Sequence, residues 1–464
     1  MAISTKPASG FRDFLPRETE RRKRVFAIIE QVYQSYGFEP LETPALENLS
    51  TLLGKYGDEG DQLVFKVLQR GDKLSRALEK DSPSALDLSD MGLRYDLTVP
   101  LARIVAQYKN ELPRYFKRYQ IAPVWRADRP QKGRFREFYQ CDVDVVGSTS
   151  MSVEAEVTAA LAEVLRRLEF DNFRIHVNHR KLLTALMEHA GVTSNKHADA
   201  LVAIDKLDKI GKAGVVAELG QRDIAPEAIA NLLPLLEAVD QNKHESVDNE
   251  ATLARLDSQI GHLESGRQAL DDLRKLLAFA ASGPAAPALF IDPYLARGLS
   301  YYTGPIFEIR SDDFAGSLGG GGRYDELVGM FTKETLPACG FSLGVERILV
   351  LMEERAMFQD EVSNVDVLVT LWNDEFTPNS FVLANELRAA GLRVDLYPDN
   401  DKYARQFKYA DQRRISFVAI LAPSELEEGV VAVKNMLSGD QERVARDQVS
   451  SWIHTQLEKN RACQ

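Results

Sequence analysis

Two alternating runs, IAPVW at 121–125 and FYQCDVDVVG at 138–147, bracket a stretch crowded with cations. Alternation of this kind predicts strands. The chain must therefore fold so that strands hold a basic loop in place. Between 114 and 136 lie Arg114, Lys117, Arg118, Arg126, Arg129, Lys132, Arg134 and Arg136, with Asp128 the one acid, for a net +7 in 23 residues. The whole chain carries −12, so the remainder stands at −19. That balance excludes a globally basic nucleic-acid coat protein but not a local basic patch. Tyr115, Phe116, Tyr119, Trp125 and Phe135 are interleaved with the arginines. Guanidinium groups beside aromatic rings suit phosphate clamping and base stacking. A solvated loop is the plain alternative for any charge run.

Along the second run, Gln140, Asp142 and Asp144 fall on one strand face, which lines either solvent or a site. Elsewhere, Val25, Ile28, Ile29, Val32, Tyr33 and Tyr36 recur at helical spacing and predict an amphipathic helix over 17–36, stopped by Gly37. FEPLETP follows; Pro40 and Pro44 confine it to an edge strand. Residues 90–104, DMGLRYDLTVPLARI, read as a strand or turn entering a helix, with Pro100 in its first turn. A second amphipathic helix is expected over 151–169. Residues 180–285 look helical throughout, and the isolated His197, His244 and His262 read as packing or surface residues. Four glycines, 319–322, precede Arg323 and Tyr324. So dense a run permits close backbone approach, to a neighbouring strand or to a ligand. It is neither a P-loop nor a dinucleotide fingerprint. In GFSLGVERILVLM, Arg347 sits in the first turn of a helix, where a phosphate could be held, or a surface ion pair made.

After a polar stretch at 354–363, strand and helix patterns alternate. This predicts a separate α/β domain over 365–464. Its helix at 402–414 carries Lys402, Arg405, Lys408, Arg413 and Arg414, a second candidate for nucleic-acid contact or a solvated face. The 464 residues allow two to four domains. Cys141, Cys339 and Cys463 lie far apart with no ligand spacing, so no metal site and a reducing compartment are expected. No run of 18 apolar residues occurs and the start, MAISTKPASGFRDFLP, lacks an apolar h-region. A cytoplasmic location away from membranes is the expectation.

Several of these segments together resemble the class II aminoacyl-tRNA synthetases, and among them the histidine-specific family. GFRDFLP with the first helix and GFEPLETP is similar to motif 1, VWRADRPQKGRFREF to motif 2 and GFSLGVERI to motif 3. LRYDLTVP and ARGLSYYTG resemble the two segments peculiar to the histidine enzymes. The resemblance implies an α+β catalytic domain with an antiparallel sheet over 1–360, a helical insertion at about 195–280, and an anticodon-binding α/β domain over 365–464. It implies ATP-dependent activation of L-histidine, then transfer to the 3′ end of tRNA-His. ATP would be the co-substrate, magnesium its counter-ion, and a homodimer the assembly.

By the same resemblance, Arg126, Arg297 and Arg347 would be catalytic. Arg126 would contact the carboxylate and α-phosphate, Arg347 the γ-phosphate with Arg134, and Arg297 the α-phosphate from the other side. Phe138 would stack on adenine, with Asp128 near its amino group. Asp96, Thr98 and Gln140 would hold the α-amino group, in a histidine site that also counts Leu97. Asp144 and Tyr302 would bind the ring nitrogens, with Tyr301 lining the pocket and the glycine run as its floor. Gln131 and Arg129 would meet the tRNA. Ser300 stands where many relatives carry an acid. The alternatives are a non-catalytic regulatory subunit of ATP phosphoribosyltransferase with the same fold, a class II enzyme for another amino acid, and a plain RNA-binding protein.

Overall fold

The computed structural model describes residues 4–54, 61–204, 206–232, 248–296, 301–312, 314, 316–332, 334–358 and 363–462. Two compact units emerge, Met1–Arg355 and Ala356–Gln464.

The first unit is built on an eight-stranded sheet. Its strands are β1 (Glu39–Pro40), β5 (Phe116–Trp125), β6 (Glu137–Val146), β7 (Phe173–His179), β8 (Leu289–Ile291), β9 (Pro305–Ser311), β10 (Ser317–Arg323) and β11 (Ala338–Gly344). They lie in the order β1-β5-β6-β11-β10-β9-β7-β8. The six central strands are antiparallel, and the edge strands β1 and β8 run parallel to β5 and β7. Pro40 sits in an edge strand because it has no N–H to give a second neighbour. The remaining strands, β2 (Leu46–Asn48), β3 (Lys66–Leu68) and β4 (Ser89–Leu93), form a small sheet ordered β2-β4-β3. The strand or turn expected from residue 90 is β4; β2 and β3 were not predicted, because three-residue strands are too short to show a period.

Helix α1 (Pro16–Ser35) buries Val25, Ile29, Val32 and Tyr33 of the predicted stripe, together with Arg22, while Ile28 and, just past its end, Tyr36 are half-buried. Pro16 opens it at a position where its missing N–H costs nothing. Helix α2 (Thr98–Gln107) buries its Val99, Leu101 and Val105 side chains against Phe116, Val146 and Tyr324. Helix α3 (Ser152–Arg167) lies against β6 and β11. Within the described residues the expected helical stretch is present as α4 (Arg180–His189), α5 (His197–Ile204), α6 (Leu207–Gln221), α7 (Asn249–Ile260) and α8 (Glu264–Ala280). Of these, α8 packs on α3 and α4 through its buried Leu270, Leu273 and Leu276 face. His197 Nε2 donates to the Val192 carbonyl at 2.9 Å, as a packing histidine does. His244 lies outside the described residues. Helix α9 (Val345–Glu354) leaves β11 at Gly344.

The second unit holds β12 (Val367–Val369), α10 (Thr377–Ala389), β13 (Val394–Leu396), α11 (Tyr403–Gln412), β14 (Phe417–Ile420), β15 (Val430–Asn435), β16 (Gln441–Ala445) and α12 (Val449–Ala462). Strands β13, β12 and β14 are parallel, and β14, β15 and β16 antiparallel. The hairpin strand β16 was not predicted: QERVA is exposed except at Val444 and carries no apolar alternation. Two cations of the basic stretch at 402–414 are paired, Arg405 with Asp401 at 2.7 Å and Arg413 with Asp395.

Candidate active site

The site rests on the register of four strands. Arg118 and Gln120 on β5 stand opposite Asp144 and Asp142 on β6. On the other side of β6, Gly340, Ser342 and Gly344 of β11 oppose Asp144, Asp142 and Gln140. Next come Gly322 and Gly320 of β10, opposite Gly340 and Ser342. Strand alternation turns all these residues to one face. A row of polar side chains thus faces a strip where Ser342 is the one side chain. The glycines are required there. A Cβ on Gly340 would lie 1.8 Å from Asp144 Oδ1, and one on Gly322 would lie 3.0 Å from the Tyr302 ring.

This face opens into a cavity of about 710 Å³. Its walls bring together Asp96, Thr98, Arg126, Asp128, Gln131, Arg134, Phe138, Gln140, Asp144, Tyr301, Tyr302 and Arg347 from the sequence-predicted set. Leu97 is not among them: its side chain is fully buried beside Ala122 and Val124. Its carbonyl instead accepts from Arg118 Nη2 at 3.2 Å. Arg129 is exposed on the loop, away from the cavity. Arg297 and Ser300 lie outside the described residues. Arg323 follows the glycine run but turns to the opposite face, where Nε donates to Glu154 of α3 at 2.7 Å.

At the acidic end, Arg118 is fully buried and its Nη2 lies 2.7 Å from Asp144 Oδ2. The Tyr324 hydroxyl donates to Asp144 Oδ1. Gln140 Nε2 donates to the Ser342 hydroxyl at 2.9 Å, and Ser342 in turn hydrogen-bonds Asp142. Among the described residues Asp142 Oδ1 has no partner. Burial pushes both carboxyls up, Asp142 to about 7, with Arg118 pulling it down and Asp144 pushing it further up. Asp96 accepts from the Val99 amide at 3.0 Å and so secures the first turn of α2. Burial also raises both Tyr301 and Tyr302, whose rings stand 4.7 Å apart. Both hydroxyls therefore stay protonated donors at neutral pH.

At the cationic end, Arg126 Nε donates to the Tyr95 carbonyl at 3.1 Å, and its guanidinium lies 4.2 Å over the Tyr95 ring and 5.2 Å from Phe138. Arg347 Nη1 donates to the Ser317 carbonyl at 2.5 Å. Arg134 forks onto Asp128 at 2.9 and 3.0 Å. Gln131 and Arg134 close a tight turn by exchanging backbone hydrogen bonds, and Gly133 takes φ +69° there.

Two features escaped sequence reasoning. Glu346, the neighbour of Arg347, is buried, with Arg12 Nη2 at 2.5 Å and Arg22 Nη1 at 2.7 Å. Arg12 also lies 3.4 Å over the Phe135 ring. One carboxylate therefore ties the N-terminal segment and α1 to α9 beside the cationic loop. The second is the pairing of Arg118 with Asp144. The run of eight cations gave no sign of which one is buried; only the strand alternation, counted from Val124 back to Arg118, could have pointed inward.

A model of the histidyl-tRNA synthetase family matches residues 10–348, and one for an anticodon-binding domain matches residues 365–456. A histidine–tRNA ligase of Porphyromonas gingivalis is 43% identical over 446 residues, covering 94% of this chain and 96% of its own. One of Christiangramia forsetii is 40% identical over 452 residues, covering 95% and 97%. Among solved structures, a histidyl-tRNA synthetase from Nostoc sp. PCC 7120 superposes with a TM-score of 0.80 at 29% identity, covering 98% of this chain and all of that one.

Replacing Arg118 by methionine strands the Asp144 charge in the sheet. The expected cost is about 3–5 kcal/mol, measured as a shift in the urea-unfolding midpoint. A carboxyl whose folded pKa exceeds its unfolded value binds its proton more tightly when folded, so stability falls as pH rises through that window. The loss should therefore be larger at pH 8 than at pH 5; equal losses would refute a stranded charge.

Proposed function

The chain belongs to the histidyl-tRNA synthetase family, a histidine–tRNA ligase by activity, and we propose the following assignment of that activity to its residues. The histidine carboxylate attacks the α-phosphorus of ATP. A new C–O–P link forms, the α–β phosphoanhydride breaks, and diphosphate leaves. A terminal hydroxyl of the tRNA then attacks the adenylate carbonyl and AMP departs. Negative charge builds on the phosphate oxygens in the first step, so fixed cations are the natural catalysts.

Arg126 is assigned to the carboxylate and α-phosphate. It is held from behind by the Tyr95 carbonyl and ring, so its position is set before substrate arrives. Arg347 is assigned to the γ-phosphate from the first turn of α9. Arg134 joins it only by leaving Asp128, which then becomes available to the adenine amino group. Phe138 offers a stacking face. Arg297 is assigned to the α-phosphate by its place in ARGLSYYTG. Asp96, Thr98 and Gln140 take the α-ammonium, and Asp144 and Tyr302 the two ring nitrogens, beside Tyr301. No group of three or more His, Cys, Asp or Glu side chains among the described residues stands ready to cage a metal ion. Magnesium, which neutralises phosphate charge when bound, is therefore assigned to the triphosphate and its waters.

The observation that carries this reading is that one cavity holds arginines at one end and a buried acid row at the other. The anticodon-binding match at 365–456 weighs against the regulatory-subunit alternative. No helix among the described residues is long and apolar enough to cross a membrane. We assign the protein to the cytoplasm and to a homodimer formed through α1 and the β1 edge.

ATP–diphosphate exchange should depend on histidine and fail with proline or threonine. Arg126→Ala should lower its kcat by roughly 10²–10³-fold, the size of losing one oriented donor. Exchange supported by another amino acid, or by none, would overturn the reading. Gln131→Ala should leave exchange intact and reduce discrimination at the 5′ end of the tRNA acceptor stem, scored by aminoacylation of tRNA with and without the extra 5′ guanosine. Sedimentation equilibrium should give twice the chain mass; a monomer would remove the dimer assignment.

A further inference from the structure

Asp142 has no role in the assignment above, yet it stands in the same row, between Gln140 and Asp144 and about 7 Å from each along the strand. Among the described residues its hydrogen-bond neighbour is the Ser342 hydroxyl, and its Oδ1 is buried without a partner. The groups that act on it are Arg118 on β5, Asp144 on β6, Asp96 at the start of α2, and the hydroxyl of Tyr302. Behind the sheet lie Tyr33 of α1 and the Cys141 thiol, and Arg94 acts from beyond β4. Arg118 is the fully buried cation of this set, and it already serves Asp144 and the Leu97 carbonyl. Two carboxyls, Asp142 and Asp144, thus share one buried guanidinium, with Asp96 acting on both. An unpaired buried carboxylate is costly, so such a group either takes up a proton or waits for a cation.

The ligand brings that cation. Resting on the histidine-binding assignment, we propose that Asp142 is a specificity-determining carboxyl: it keeps a proton while the cleft lacks amino acid and yields that proton to solvent when the substrate's α-ammonium docks against it beside Gln140. No bond of the ligand changes. The carboxyl O–H ionises, the proton leaves to water, and an ammonium N–H donates to the carboxylate. The upward shift of Asp142 to about 7 places this exchange in the neutral range. Histidine affinity should then climb as pH rises toward 7 and level off above it. An imidazole acid lacking the ammonium, 3-(imidazol-4-yl)propionate, should bind without the release.

The test is calorimetric titration of the full chain with L-histidine at pH 7 in phosphate and in Tris, whose ionisation enthalpies differ. Wild type should show a buffer-dependent heat that reports proton release. Asp142→Asn keeps the shape and the Ser342 contact, and should lose that component. Its histidine Kd at pH 8 should weaken by roughly 10-fold or more, as for loss of a charged hydrogen bond, with the KM for ATP unchanged. Because the variant removes a buried charge, its melting temperature at pH 8 should not fall. Should it fail to fold, Ser342→Ala provides the second arm: without the hydroxyl the carboxyl holds its proton to higher pH, and the rise in affinity should move the same way. Equal buffer dependence in wild type and Asp142→Asn, or release of the same proton by the propionate, would overturn the proposal. Absence of histidine binding by wild type, with exchange supported by a different amino acid, would sink the functional reading beneath it.

Discussion

The ion pair between Arg118 and Asp144 sits at the centre of the large sheet, and the amino-acid end of the cleft depends on it. Both side chains are buried. A pair so buried contributes little net stability compared with an apolar pair, because desolvation offsets most of the Coulomb attraction. Its value lies in placement. Arg118 reaches across the strand boundary to hold Asp144, and its second contact fixes the Leu97 carbonyl just before α2. With Tyr324 on the other oxygen, the Asp144 carboxylate is aimed rather than merely present. The helix that brings Asp96 and Thr98 is registered on the same guanidinium.

The opposite end is organised by a different carboxylate. Glu346 and Arg347 are neighbours in the first turn of α9 and face in different directions. Glu346 gathers Arg12 and Arg22 from the start of the chain, while Arg347 turns to Ser317 and the cavity. A structural anchor and a candidate catalytic group thus share one turn of helix, so the position of the second is tied to the packing of the first. The start of the chain meets α9 here because one acidic residue satisfies two cations that lie more than 300 positions from it.

Much of this was legible before the structure. The alternation in FYQCDVDVVG placed Gln140, Asp142 and Asp144 on one face, and they line one cavity. The prolines of FEPLETP marked an edge, and the glycine run marked close approach. What stayed hidden shares a physical cause. The partners of Glu346 and Arg118 are set by tertiary register, which leaves no trace at short spacing. The burial of Leu97 depends on where α2 begins, a matter of one residue. Strands β2 and β3 and the β16 hairpin strand are too short or too polar to display a period. Residues 297–300 of ARGLSYYTG lie outside the described residues, so the third guanidinium rests on resemblance alone.

The strip formed by Gly320, Gly322 and Gly340 has a consequence for altering what the cleft accepts. That wall is main chain, and main chain offers nothing to swap. An engineer seeking a new amino-acid preference could not enlarge it by trimming, since no side chain remains to trim. Adding even a methyl group at Gly340 collides with Asp144. Any retuning must come from the facing acid row or the two tyrosines, whose positions are fixed by neighbours on other strands. The shape of the cleft is thereby insulated from single substitutions on one side and exposed to them on the other.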